Sequence, residues 1–257
     1  MMIYWYVYIG NTLLLKNDNG KYSVPCQETP PTEIREWTYI QNLPDTEDGT
    51  PCKSYKLDNV LPGVEKFETI GLRESWNLLP RSQYNMAGKA AELIYWDSNT
   101  KYCGCCGAPM KRSTDISKVC TICGKEIWPQ VSPAIIVRIH KGDQILLVHA
   151  KNFRRSEMYG LVAGFVETGE TLEDCVRREV KEEIGLSIKN IKYFASQPWP
   201  YPCGIMLGFT ADYDSGEIHL QEEEIADARW VSKNNLPVIP DKMSIARRLI
   251  DDWLEKC

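Results

Sequence analysis

The chain has 257 residues, 43% of them hydrophobic, and a formal net charge of −5, which is enough for one large core or for two or three modules. No stretch approaches the ~20 apolar residues of a membrane helix, and the acidic balance argues against broad affinity for nucleic acid backbones, which clustered Lys and Arg confer. Ten cysteines without a secretory signal point to reduced thiols and a metal rather than to a disulfide framework.

The opening MMIYWYVYIGNTLLL is apolar but has neither a basic start nor a small-residue cleavage site. It reads as a first strand or hairpin rather than a signal peptide, and the expected location is the cytoplasm. Residues 1–97 mix strand-like runs with loops such as QETPPTEIRE and NLPDTEDGTP, the pattern of a small α+β domain without a chemistry-bearing motif. Within them QYNMAGKAAELIYW reads as a helix leading into a cysteine-rich segment.

That segment, expected to form its own module over residues 98–129, carries two C-x2-C pairs, Cys103 with Cys106 and Cys120 with Cys123, each followed directly by Gly. This is the spacing of a zinc ribbon: two tight turns present four thiolates, which close a tetrahedral site with no open position, so Zn²⁺ there is structural. Cys105 stays unassigned. The alternative of four ordinary buried cysteines does not account for the doubled spacing.

Residues 130–257 read as an α/β domain. PAIIVRIH and QILLVHA flank a Gly-containing turn as a hairpin. GLVAGFVE is strand-like, TLEDCVRREVKEEIG helical, and IKYFASQ and GIMLGFTADY strand-like again. MSIARRLIDDWLEKC closes the chain as a helix, with Ile245, Leu249 and Trp253 on one face.

The helix in TLEDCVRREVKEEIG is unusual in its charge. Thr171 with Asp174 fits a capping pattern and Gly185 ends the helix. Counting on from Leu172 by threes and fours gives Cys175 or Val176, Glu179, and then Glu182 or Glu183. The stripe thus starts apolar and ends in three carboxylates near the negative end of the helix dipole. A solvated face paired with Arg177, Arg178 and Lys181 is one reading. The other, favoured because the stripe should face the protein body where unpaired charge is costly, is a divalent-cation surface.

At this point the residues carry a resemblance. GFVETGETLEDCVRREVKEEIGL, Gly164 to Leu186, resembles the Nudix box G-x5-E-x7-R-E-U-x-E-E-x-G-U (U apolar) at Gly164, Glu170, Arg178, Glu179, Val180, Glu182, Glu183, Gly185 and Leu186. SQPWPYPCG, residues 196–204, is similar to the S-Q-P-W-P-F-P-x-S motif of the NADH pyrophosphatase branch, with Tyr201 for Phe and Gly204 for Ser. The resemblance covers about residues 70–257. It implies a Nudix α/β/α sandwich with a mixed sheet, preceded by a zinc ribbon and the α+β domain.

The resemblance also implies metal-dependent hydrolysis of NAD(H) to nicotinamide mononucleotide and AMP, with removal of NAD caps from RNA 5′ ends by the same chemistry. Glu179, Glu182 and Glu183 are its catalytic candidates. Mg²⁺ or Mn²⁺ is expected on Glu179, Glu183, the Ala163 carbonyl and Glu224, the last chosen from Glu222, Glu223 and Glu224. Glu170 and Arg178 are expected to pair. Expected substrate contacts are Trp128, stacking on an adenine-type ring, then Gln197, Pro198, Trp199, Pro200, Tyr201, Pro202, Cys203 and Gly204, with Arg73, Asp115 and Ala246. For Trp128, core packing is an equal alternative. Family members are commonly homodimers. Two other readings stay open: a Nudix pyrophosphatase for ADP-ribose or dinucleoside polyphosphates, and a zinc-ribbon nucleic-acid-binding protein with an inactive Nudix fold.

Overall fold

The computed structural model describes residues 1–36, 38–58, 66–151 and 157–256. They form two compact units, Met1–Gln130 with Pro200–Cys203, and Val131–Trp199 with Gly204–Cys257. Among the described residues no helix is long and apolar enough to cross a membrane.

In the first unit the opening apolar run is a hairpin, β1 (Ile3–Ile9) and β2 (Thr12–Asp18), turning at Gly10 with φ +60°. With β3 (Lys21–Ser23), β4 (Cys26–Gln27), β5 (Gln41–Leu43), β6 (Cys52–Leu57) and β7 (Phe67–Gly71) it builds a sheet of order β3-β2-β1-β6-β5, with β4 on β1 and β7 on β2. The β1–β6 pair is parallel. Trp5, Val7, Ile9, Leu14, Tyr55 and Leu57 bury one face. From the other face Tyr8 donates its hydroxyl to the Ala87 carbonyl of the helix α1 (Arg81–Asn99).

The ribbon follows as a three-stranded sheet of β8 (Met110–Thr114), β9 (Ser117–Cys120) and β10 (Glu126–Ile127). Arg112 and Lys118 both reach Asp97, near the end of α1, at 2.8 Å.

In the second unit the order is β14-β15-β11-β12-β16, from β11 (Ser132–Lys141), β12 (Gln144–Ala150), β13 (Val162–Phe165), β14 (Ser187–Trp199), β15 (Gly204–Ser215) and β16 (Ile225–Val231), with β13 added to β11. The sheet is mixed: β11–β15 is parallel and its other pairs are antiparallel. Alternation along the strands splits the core. Ile135, Val137 and Ile139 pack with Cys175, Val176, Val180 and Ile184 of the helix α2 (Leu172–Ile184). Ile136, Ile145 and Leu147 pack with Ile245, Leu249, Ile250 and Trp253 of α3 (Ile245–Lys256). A sheet between two helices is the α/β/α sandwich expected. Cys257, included in the expected terminal helix, lies outside the described residues.

Candidate active site

Local sequence sets both ends of α2. The Thr171 Oγ1 accepts from the Asp174 amide at 3.2 Å, satisfying a free donor of the first turn. Gly185, at φ +73°, takes the left-handed conformation that ends the helix.

The three carboxylates part company. Glu183 is buried, at 5% exposure, Glu179 is half-buried, and the Glu182 side chain is 53% exposed. The expectation that all three face the body therefore fails for Glu182: one residue is about 100° of helix, so 182 and 183 point apart. Glu182 instead accepts from Arg178 Nη1 at 3.0 Å.

Among the described residues, Arg178 is the cation bonded to these carboxylates. Its Nε and Nη2 donate to the two Glu170 oxygens at 3.0 and 2.7 Å. Nη1 also donates to Glu179 at 2.8 Å, and Nη2 reaches the Phe165 carbonyl at 3.0 Å. The pairing holds the Glu170 carboxyl down at about 2, and it ties the segment after β13 to the helix. Glu179 lies against Gly164 so closely that any Cβ there would overlap its carboxylate, which is the physical reason for glycine at that place.

Glu224 reaches the same neighbourhood through backbone pairing. The amides of His219 and Gln221 donate to the Ile184 and Glu183 carbonyls, both at 3.0 Å, so the incoming chain docks on the end of α2, and the Lys151 amide donates to the Glu224 carbonyl at 2.8 Å. Burial pushes Glu183 up to about 8, with Glu179, Glu224 and Glu182 adding repulsion. Burial also raises Glu179, against the pull of Arg178. A group of acids that oppose one another's ionisation is poised to take up a cation. Ala163 sits on β13 opposite Ile136.

The ribbon thiols converge more tightly: the sulfurs of Cys103, Cys106, Cys120 and Cys123 lie within 4.8 Å of one another, and among the described residues the acidic set does not converge to that degree. Cys103–Cys123 is 3.6 Å and Cys106–Cys120 is 3.4 Å, near the edge of a tetrahedron with Zn–S bonds of ~2.3 Å. Amides of Ile122 and Cys123 point at Cys120 Sγ and lower that thiol's pKa. Cys105 lies outside the set and accepts from Lys125 Nζ at 3.3 Å.

A family profile described as NUDIX domain matches residues 129–254, and one described as NADH pyrophosphatase-like rudimentary NUDIX domain matches residues 3–96. The protein named NAD-capped RNA hydrolase NudC from Stutzerimonas stutzeri is 41% identical, with 81% of this chain and 75% of that protein covered. The chain belongs to the Nudix hydrolase family. A protein of the same name from Photobacterium profundum is 45% identical, with 79% of this chain and 88% of that one covered. A solved NUDIX hydrolase from Nitrosomonas europaea shares the fold at a TM-score of 0.53 and 19% identity, covering 61% of this chain and 92% of that one.

The other residues expected in this Nudix site fall in both units. In the second, Gln197 is buried, donates to the Met243 carbonyl at 2.9 Å, and keeps its own Oε1 buried without a partner among the described residues. Pro198 is exposed and Trp199 half-buried. Gly204 pairs with Trp199 and with Ser132; a Cβ would meet the Trp199 carbonyl at 3.2 Å. Ala246 is buried in the first turn of α3.

In the first unit Pro200 is buried and Pro202 exposed, with Tyr201 and Cys203 between these extremes. The Arg73 guanidinium lies 4.6 Å from the centre of the Tyr201 ring. Asp115 accepts from Tyr39 at 2.8 Å and from Asn42 at 3.3 Å. Trp128 is 50% exposed. Tyr84, whose hydroxyl meets that of Tyr201 at 2.6 Å, escaped the sequence reading because it lies in an ordinary amphipathic helix with no motif around it. The Nudix likeness of the first unit escaped it too, since residues 3–96 retain no box.

Proposed function

We propose that this Nudix hydrolase splits the pyrophosphate of NAD(H) into nicotinamide mononucleotide and AMP and by the same reaction removes NAD caps from RNA 5′ ends. The observation that carries the reading is the charge arrangement at the end of α2: Glu183 is buried, with Glu179 and Glu224 acting on it, and raised to about 8, while Arg178 is shared among Glu170, Glu179 and Glu182. Two relatives named NAD-capped RNA hydrolase NudC and the SQPWPYPCG segment supply the substrate class.

Glu179, Glu183, Glu224 and the Ala163 carbonyl would hold Mg²⁺ or Mn²⁺, hard ions suited to oxygen donors. The ions would offset phosphate charge and lower the pKa of the attacking water. Arg178 orients Glu179 and braces the loop carrying Glu170. Glu182 stands beside them as the outer carboxylate. Trp128 offers an aromatic face for a base, and residues 197–204 with Arg73, Asp115 and Ala246 complete the substrate contacts. The four ribbon cysteines would hold Zn²⁺ as a structural ion. The three modules 1–97, 98–129 and 130–257, a cytoplasmic location and a homodimer complete the proposal.

The test is product analysis with Mg²⁺ or Mn²⁺ against NADH, NAD, ADP-ribose and NAD-capped RNA in parallel. Release of nicotinamide mononucleotide supports the reading. Metal-dependent cleavage of ADP-ribose alone moves the enzyme to the other pyrophosphatase branch, and no cleavage with retained RNA binding favours a binding module.

A further inference from the structure

The Tyr201 hydroxyl, the atom by which this chain departs from the branch pattern, is not left to solvent. It meets the Tyr84 hydroxyl at 2.6 Å, and both residues belong to the first unit. Tyr84 is buried on α1, and its ring stands edge-on to Trp76 with centroids 5.0 Å apart and an interplanar angle of 86°. Arg81 covers Trp76 at 4.7 Å. Arg73 lies 4.6 Å over the Tyr201 ring and also hydrogen-bonds that side chain.

One turn along α1, Gly88 makes room for the neighbour of Tyr201: a Cβ there would come within 3.0 Å of Pro200 Cγ. The Ala87 carbonyl beside it is held by Tyr8 from the sheet, so this part of α1 is fixed from behind. Residues 200 and 201 are thus seated on α1 by a steric notch and a hydroxyl pair. The pair is the more exacting of the two, since removing one hydroxyl takes a hydrogen bond from the other in a largely buried place.

We propose that Tyr84 is a positioning residue: through its hydroxyl it fixes Tyr201, and with it the 200–203 part of the dinucleotide-recognition segment. This rests on the functional reading above. Tyr84 itself touches no reacting atom. Its effect is on how well the segment is presented, and therefore on binding shared by ground and transition states, which moves KM rather than kcat.

The experiment compares wild type, Tyr84→Phe, Tyr201→Phe and the double variant in steady-state NADH hydrolysis with Mg²⁺, with thermal melting of each protein. Tyr84→Phe keeps the ring that packs on Trp76. It should raise KM roughly threefold to tenfold, the size of one hydrogen bond to a buried group, with kcat changed by less than about twofold. In the double variant the rise in KM should fall short of the product of the two single rises, because each single variant already breaks the one bond the hydroxyls share. An unchanged KM in Tyr84→Phe, with or without a lower melting temperature, overturns the proposal. A wild-type protein that cleaves no dinucleotide overturns the functional reading instead, and the positioning role with it.

Discussion

The carboxylate of Glu179 occupies the space that a side chain on Gly164 would need. The approach links β13 to α2 at the place where the candidate metal ligands begin. It ties a backbone requirement in one element to the aim of a carboxylate in the other.

Gly164→Ala should therefore displace Glu179 rather than merely crowd the backbone. We expect kcat/KM for NADH to fall by about a hundredfold, the usual scale for a misplacement near 1 Å, with secondary structure unchanged by circular dichroism. A variant within a few-fold of wild type would show that Glu179 does not need this seat.

Glu183 makes the stability of the metal-free protein depend on pH. Its carboxyl titrates near 4.5 in an unfolded chain and at about 8 in the fold. Between these values the native state holds a proton that the unfolded state has released, so stability falls as pH rises through the window. Urea midpoints of the metal-free protein should decline from pH 5 to pH 8. Glu183→Gln should flatten that decline, abolish hydrolysis and leave the fold intact; an active Glu183→Gln enzyme would remove Glu183 from the mechanism.

Arg178 bonds Glu170, Glu179, Glu182 and the Phe165 carbonyl at once. A lysine keeps the charge but not the planar fork. For Arg178→Lys we expect kcat/KM to drop roughly tenfold, since the brace loosens while the ligands remain, together with a higher Mg²⁺ concentration for half-maximal rate. An unchanged metal titration would confine Arg178 to folding.

Cys120→Ser removes one of four converging sulfurs. Metal analysis of the purified variant should fall from about one zinc per chain to a small fraction, with a melting temperature lower by roughly 10 °C or more, because binding energy at a closed site is folding energy. Cys105→Ser is the control. Cys105 stands outside the set, and its substitution should leave zinc content unchanged.

What the sequence made legible was local. The cap at Thr171, the stop at Gly185, the β11–β12 hairpin, the α3 face and the ribbon spacing each depend on residues a few positions apart, and the structure shows each of them. Glu182 was misread because a stripe drawn in steps of three and four accepts two adjacent residues, whereas about 100° of helix separates them. The parallel pairing of β1 with β6, the burial of Gln197 beneath the Met243 carbonyl and the meeting of Tyr84 with Tyr201 are products of tertiary packing, and no spacing in the chain encodes them.

Because β11 pairs in parallel with β15, from Ser132 beside Gly204 to His140 beside Asp212, the strand that opens the second unit waits for its partner until most of that unit has left the ribosome. Its hairpin with β12 can close early, but the edge that β15 covers stays unpaired until β15 emerges. Such contacts between distant residues slow folding and expose strand edges. The nascent chain is thus most vulnerable to aggregation between the emergence of β11 and that of β15, and a pause in translation there should harm yield more than one after Ser215.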